Sequence, residues 1–155
     1  MKEKLEEWEV RLNGAQAGHY MSCEKYQRLN NLLGIPLVIL SSFVSAFLFF
    51  ENVNWYISLF LKISGVIVVI LASLQTFIRP SEKAEMHRVK ASKYGSLKRK
   101  VEVAIKQSHN SEESQDLMTP LLFEWNTLAE DAPVTPHNIR KKIKEIIKED
   151  FYKKK

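Results

Sequence analysis

Two apolar runs lie almost end to end in the middle of this sequence. Leu32 to Phe50 reads LLGIPLVILSSFVSAFLFF and carries no charge; Tyr56 to Ile78 reads YISLFLKISGVIVVILASLQTFI and carries one, Lys62. A helix rises about 1.5 Å per residue, so roughly 20 such residues cover a hydrocarbon core about 30 Å thick. A helix that is apolar all round has no face to offer water. The runs therefore predict two membrane-spanning helices, at about 32–50 and 56–78. Glu51, Asn52, Val53 and Asn54 alone separate the runs before Trp55 and Tyr56. So short a link forces the spans to be antiparallel neighbours, and the aromatic pair suits the headgroup level.

Orientation follows from the basic residues. Lys25 and Arg28 precede the first span, and Arg79, Lys83, Arg88, Lys90 and Lys93 follow the second, whereas the turn has none. The positive-inside rule then places both termini in the cytoplasm of a multi-pass protein of the inner (cell) membrane. Mean hydropathy over the whole chain is mildly negative, because the flanks are rich in Lys, Arg and Glu. The net charge of +5 suits anionic lipid headgroups, acidic partners or nucleic acid and by itself decides among none of them. Specific nucleic-acid binding is not expected. The lone cysteine, Cys23, excludes an internal disulfide and fits a reducing compartment. No signal peptide is visible, and no small-residue cleavage site follows the first run, so that run is expected to stay in the mature protein. Pro36, one turn inside the first span, and Pro80, just past the second, each remove a backbone donor and predict kinks.

The flanks of the two runs repeat one another. His19-Tyr-Met-Ser-Cys23-Glu-Lys25-Tyr26-Gln-Arg-Leu29 precedes the membrane, and His87-Arg-Val-Lys-Ala91-Ser-Lys93-Tyr94-Gly-Ser-Leu97 follows it. His and Tyr are seven residues apart in both, two helical turns, so the rings share a face. Antiparallel pairing that sets His19 beside Tyr94 also sets Tyr26 beside His87, with Cys23 and Ala91 near the middle. A stripe of Leu5, Trp8, Leu12, Ala15, His19, Ser22, Tyr26, Leu29 and Leu33 supports such a helix pair, and Val101 and Ile105 extend the opposing one. Tyr is a poor zinc ligand and the spacing is wide for a metal site. Buried His–Tyr hydrogen bonding is the simpler account, with pH sensing the other.

In the second span Ser58, Lys62, Gly65, Val69, Ala72, Thr76 and Arg79 follow alternating steps of four and three and form one small, polar stripe. Small residues on membrane helices mark close contacts. Lys62 either snorkels to the outer headgroups or faces a bundle interior or pore. Ser41, Ser42 and Ser45 offer hydroxyls in the first span. Two helices cannot enclose a conducting path, so a channel requires a homo-oligomer.

Beyond the repeat, 108–116 reads SHNSEESQD, a polar loop, and marks off a C-terminal segment (108–155) from the membrane segment with its extensions (1–107). Leu117–Ala129 predicts a short helix with Leu121, Leu122, Trp125 and Leu128 on one face. Thr135 then caps a last helix with Pro136 at its first position and Ile139, Ile143, Ile146 and Ile147 in a stripe. That helix is basic and ends in Lys153, Lys154 and Lys155. The fold class expected is all-α: a two-transmembrane helical hairpin whose long helices extend into a cytoplasmic helical bundle. The sequence shows no Gly-rich phosphate loop, metal-ligand cluster, nucleophile–base–acid set or potassium-filter motif. No enzyme activity and no cofactor are expected.

HYMSCEKYQRLNNLLGIPLVILSS and FIRPSEKAEMHRVKASKYGSLKR resemble the SLATT family, two-transmembrane effector domains associated with second-messenger nucleotide synthetases. The likeness runs from about Gln16 to Val101. It rests on the His–Tyr segment, on Gly34-Ile35-Pro36 opening the first span, and on Pro80, Glu82, Ala84, His87 and Tyr94 after the second. The resemblance implies a homo-oligomeric membrane effector of bacterial antiviral defence that forms a pore or ion channel or otherwise disrupts the membrane. Its trigger would be a nucleotide second messenger or a sensor protein. A structural membrane adaptor carrying a cytoplasmic helical platform is the second reading, and a holin-like lysis protein the third.

Overall fold

The structure is a computed structural model, and it describes residues 2–47, 49–50, 53–107 and 113–153. Every regular element among them is helical: α1 (Lys2–Phe47), α2 (Trp55–Ile78), α3 (Pro80–Gln107), α4 (Glu113–Glu130) and α5 (His137–Lys153). Two stretches are long and apolar enough to cross a membrane, one within Lys2–Phe47 and one within Trp55–Gln107. In each, 6% of the apolar window is buried inside the chain, so these stretches are not the core of a soluble fold.

Contacts divide the chain into two compact units, Lys25–Lys83 and Met1–Glu24 with Ala84–Lys155. The boundaries of these units fall inside α1 and α3; α4 shares the core of α1 and α3, and α5 packs on α1.

The unit of Lys25–Lys83 holds the apolar stretches. Helical structure in α1 stops at Phe47, short of the expected Phe50, where the Phe50 amide donates to the Phe47 carbonyl at 3.2 Å and closes a turn. Leu48, Glu51 and Asn52 of the expected span and turn lie outside the described residues. α1 runs through Pro36 without interruption. The break comes instead between α2 and α3, where Arg79 takes left-handed backbone angles, φ 48 and ψ 55. Its N–H donates to the Gln75 carbonyl at 3.1 Å, and Pro80 starts the next helix. A left-handed residue is a common way to end a helix, though glycine usually occupies that place because it has no Cβ penalty. Leu33 and Ser64 are buried here, and the Gln75 amide donates to Asn30 Oδ1 at 3.5 Å.

The second unit has a core of Leu5 and Leu12 from α1, Tyr94, Leu97, Val101 and Ala104 from α3, and Leu121 and Leu128 from α4. Trp8 and Trp125 meet edge to face at 5.6 Å beside it. The inward side of α1 is the stripe with steps of three and four, with Leu5, Leu12, His19 and Ser22 at 5% exposure or less. α4 begins at Glu113, four residues before the expected start, since Glu and Gln propagate helix well even where composition reads as polar loop. Residues 108–112 of that expected loop lie outside the described residues, as do Lys154 and Lys155. α5 starts one residue later than expected: the Pro136 carbonyl accepts from the Ile139 and Arg140 amides, which places Pro136 at the cap.

α5 seats Ile143 and Ile147 over two glycines of α1. A Cβ on Gly14 would fall 2.5 Å from Ile147 Cδ1 and 2.6 Å from its Cγ1; one on Gly18 would fall 3.3 Å from Ile143 Cγ1. Gly14→Leu is accordingly expected to push α5 off α1 at a cost of about 1–3 kcal/mol. A thermal melt followed by circular dichroism in detergent should show a lowered midpoint, and an unchanged midpoint would mean that α5 does not sit on this face.

Candidate functional site

Two groups of sequence-predicted residues form separate sites, one in each unit. In the unit of Met1–Glu24 with Ala84–Lys155, α1 supplies His19 and α3 supplies His87 and Tyr94, all 5% exposed or less. The Nδ1 atoms of His19 and His87 lie 2.9 Å apart, a hydrogen bond in which one neutral ring donates and the other accepts. The His19 ring stacks on Tyr94, centroids 5.3 Å apart and planes 18° from parallel. Ser22, one turn along α1, donates to the Gly18 carbonyl at 2.8 Å, and Ala91 is fully buried.

His19 thus lies between His87 and Tyr94, two turns apart on α3. Nearby, Gln16 reaches Gly95, where a Cβ would meet the end of its side chain, and Lys98 Nζ donates to Asn13 Oδ1 at 3.1 Å. Tyr26 belongs to the other unit, where Lys83 Nζ lies 5.8 Å from its ring centroid.

The surroundings disfavour charge on the imidazoles. Burial, then the neighbouring His87, then Lys90 push His19 down to about 4. Burial lowers His87 as well, and raises the Tyr94 hydroxyl. From α5, Arg140 and Lys144 border the small cavity that His19 also lines, so no carboxylate among these neighbours compensates a proton there. The Cys23 thiol is pushed up by burial, which makes it a poor nucleophile. No group of three or more metal-ligand side chains occurs among the described residues.

In the apolar unit, Ser58, Gly65 and Ala72 are half-buried, and Lys62 and Thr76 exposed. Nothing lies within 4 Å of where a Gly65 Cβ would be. Ser41 donates to the Val38 carbonyl at 3.0 Å and Ser42 to the same carbonyl at 2.8 Å, which ties both hydroxyls to their own helix; Ser45 is exposed. Ser64, 2% exposed, is the polar residue of α2 turned inward, and the stripe containing Gly65 did not include it.

These features define a helical chain with two helices long and apolar enough to cross a membrane, joined to a helical unit built around buried histidines. No family model, no curated protein and no solved structure matches it.

The histidine pair gives this unit a pH dependence of definite sign. Both imidazoles are harder to protonate in the fold than in the unfolded chain, so their contribution is complete above the ordinary histidine value of about 6.5. It is lost as pH falls from there toward about 4, the folded value of His19. Thermal melts should give a constant midpoint between pH 7 and 8 and a falling one below pH 6.5, with His19→Gln flattening the fall. Equal midpoints at pH 7.5 and pH 5 would remove the buried neutral pair from the account.

Proposed function

We propose that this chain is an oligomeric membrane effector whose apolar stretches form an antiparallel transmembrane hairpin, with both termini in the cytoplasm and the remaining helices bundled there. Several copies line a pore, and opening it depolarises the cell. The observation that carries the reading is the apolar surface the chain leaves uncovered: 6% of each apolar window is buried within one copy. Lipid covers part of such a surface, and other copies cover the rest.

The stripe on α2 supports assembly at that point. Gly65 has no neighbour in its own chain, so its small size is of use only to a neighbour from outside. Lys62, exposed on the same helix, is costly against lipid and acceptable beside water. The resemblance to the SLATT family adds the biological setting, antiviral defence with a nucleotide signal or a sensor protein as trigger and growth arrest as outcome.

Expression in bacteria carrying a membrane-potential dye tests the pore directly. The wild type should depolarise the cells, and Lys62→Leu and Gly65→Leu should each cut the depolarisation by roughly ten-fold or more while leaving membrane insertion and expression intact. Unchanged potential with the wild type, or full depolarisation by both variants, would remove the pore and leave the adaptor reading.

A further inference from the structure

The second unit carries a further surface that its own core does not use. α3 buries one face against α1 and α4, whereas Met86, Val89, Lys93, Ser96, Lys100, Val103 and Gln107 lie along a different face. Met86 is 45% exposed, Val89 39% and Val103 51%, so these apolar side chains stay open within one copy.

Alongside it, between α3 and α4, lie two cavities of 540 and 410 Å³ that share Ser96 and Glu124 and so form one groove. From Lys90 to Gln107 the groove follows α3 for about 25 Å. Its floor is apolar, with Ala104, Leu121 and Leu128, and Phe123 stands on its wall at 73% exposure. Lys90, Lys93, Arg99 and Lys100 border it against two carboxylates, Glu124 and Asp131. Lys100 pairs with Glu124 at 2.7 Å and Lys90 with Asp131 at 3.8 Å. Among the described residues Lys93 and Arg99 have no carboxylate partner.

We infer that the α3–α4 groove docks an acidic amphipathic helix of a partner protein, apolar residues on the groove floor and carboxylates against Lys93 and Arg99. A straight, apolar-floored groove about 25 Å long suits a helix of roughly 17 residues, and the excess of two cations among the described lining residues favours an acidic one. The inference is independent of the pore reading.

The test uses the full chain in nanodiscs of zwitterionic lipid and a fluorescent helical peptide of about 18 residues, leucine at steps of three and four and glutamate on the flanks, read by anisotropy. The same peptide with lysine for glutamate should bind roughly ten-fold or more weakly. Phe123→Ser and Lys93→Glu, both at exposed positions, should each weaken the acidic peptide by about ten-fold, and Lys93→Glu should also narrow the preference for it over the basic one. Val134→Ser, exposed but outside the groove, should change nothing. Equal binding of the two peptides, or unchanged affinity in both groove variants, overturns the inference. So does disulfide formation between copies carrying Ser96→Cys, which would make a second copy the occupant.

Discussion

Apolar side chains that a protein does not cover for itself must be covered by something else, because each buried CH₂ is worth about 0.8 kcal/mol relative to water. Phe43, Phe60, Ile63, Val66 and Val69 each keep more than half of their surface open within a single copy. Lipid satisfies side chains of that kind without any shape requirement. Backbone groups it cannot satisfy, so the segments carrying these residues have to be helical throughout. The long uninterrupted helix α1 and the 24 residues of α2 follow from that requirement more than from helix propensity, which is low for their many β-branched residues.

The other unit obeys the opposite accounting. It buries its own core, with few residues on each helix, Leu5 and Leu12 from α1 and Leu97 and Val101 from α3. Setting two histidines into that core is a cost that leucine would not incur. Their mutual hydrogen bond satisfies both Nδ1 atoms only while the pair holds fewer than two extra protons, since two donors cannot face each other at 2.9 Å. The pair therefore specifies how α1 and α3 align and makes that alignment conditional on charge. A Leu pair would hold the helices together without either property.

How much of this was legible in the sequence depended on whether the signal was continuous or periodic. The apolar runs are continuous and the stripe from Leu5 to Ser22 is periodic, and the helices and the inward face of α1 followed from them. The His–Tyr repeat drew attention to these residues, but which side chains meet between two helices is set by local fit, and the bond between His19 and His87 is a contact that a single sequence does not announce. The helix break at Arg79 is similar: Pro80 marked the neighbourhood, whereas the left-handed backbone one residue earlier depends on how the last turn of α2 closes. The start of α4 was missed because composition near Glu113 describes solvation better than it describes backbone conformation.

α3 is read twice along its length, and one residue lies on the border between the readings. Lys90 is three residues from His87, and its side chain is 13% exposed, so its methylenes are covered while its ammonium reaches toward the groove. Its charge is one of the influences that hold His19 neutral, and its Nζ faces Asp131 on the chain beyond α4 at 3.8 Å. A carboxylate near Lys90 screens the field His19 feels, and a protonated His19 repels the Lys90 ammonium toward that carboxylate. Lys90 thus belongs to both surroundings, as one of the charges that hold His19 neutral and as part of the groove's lining.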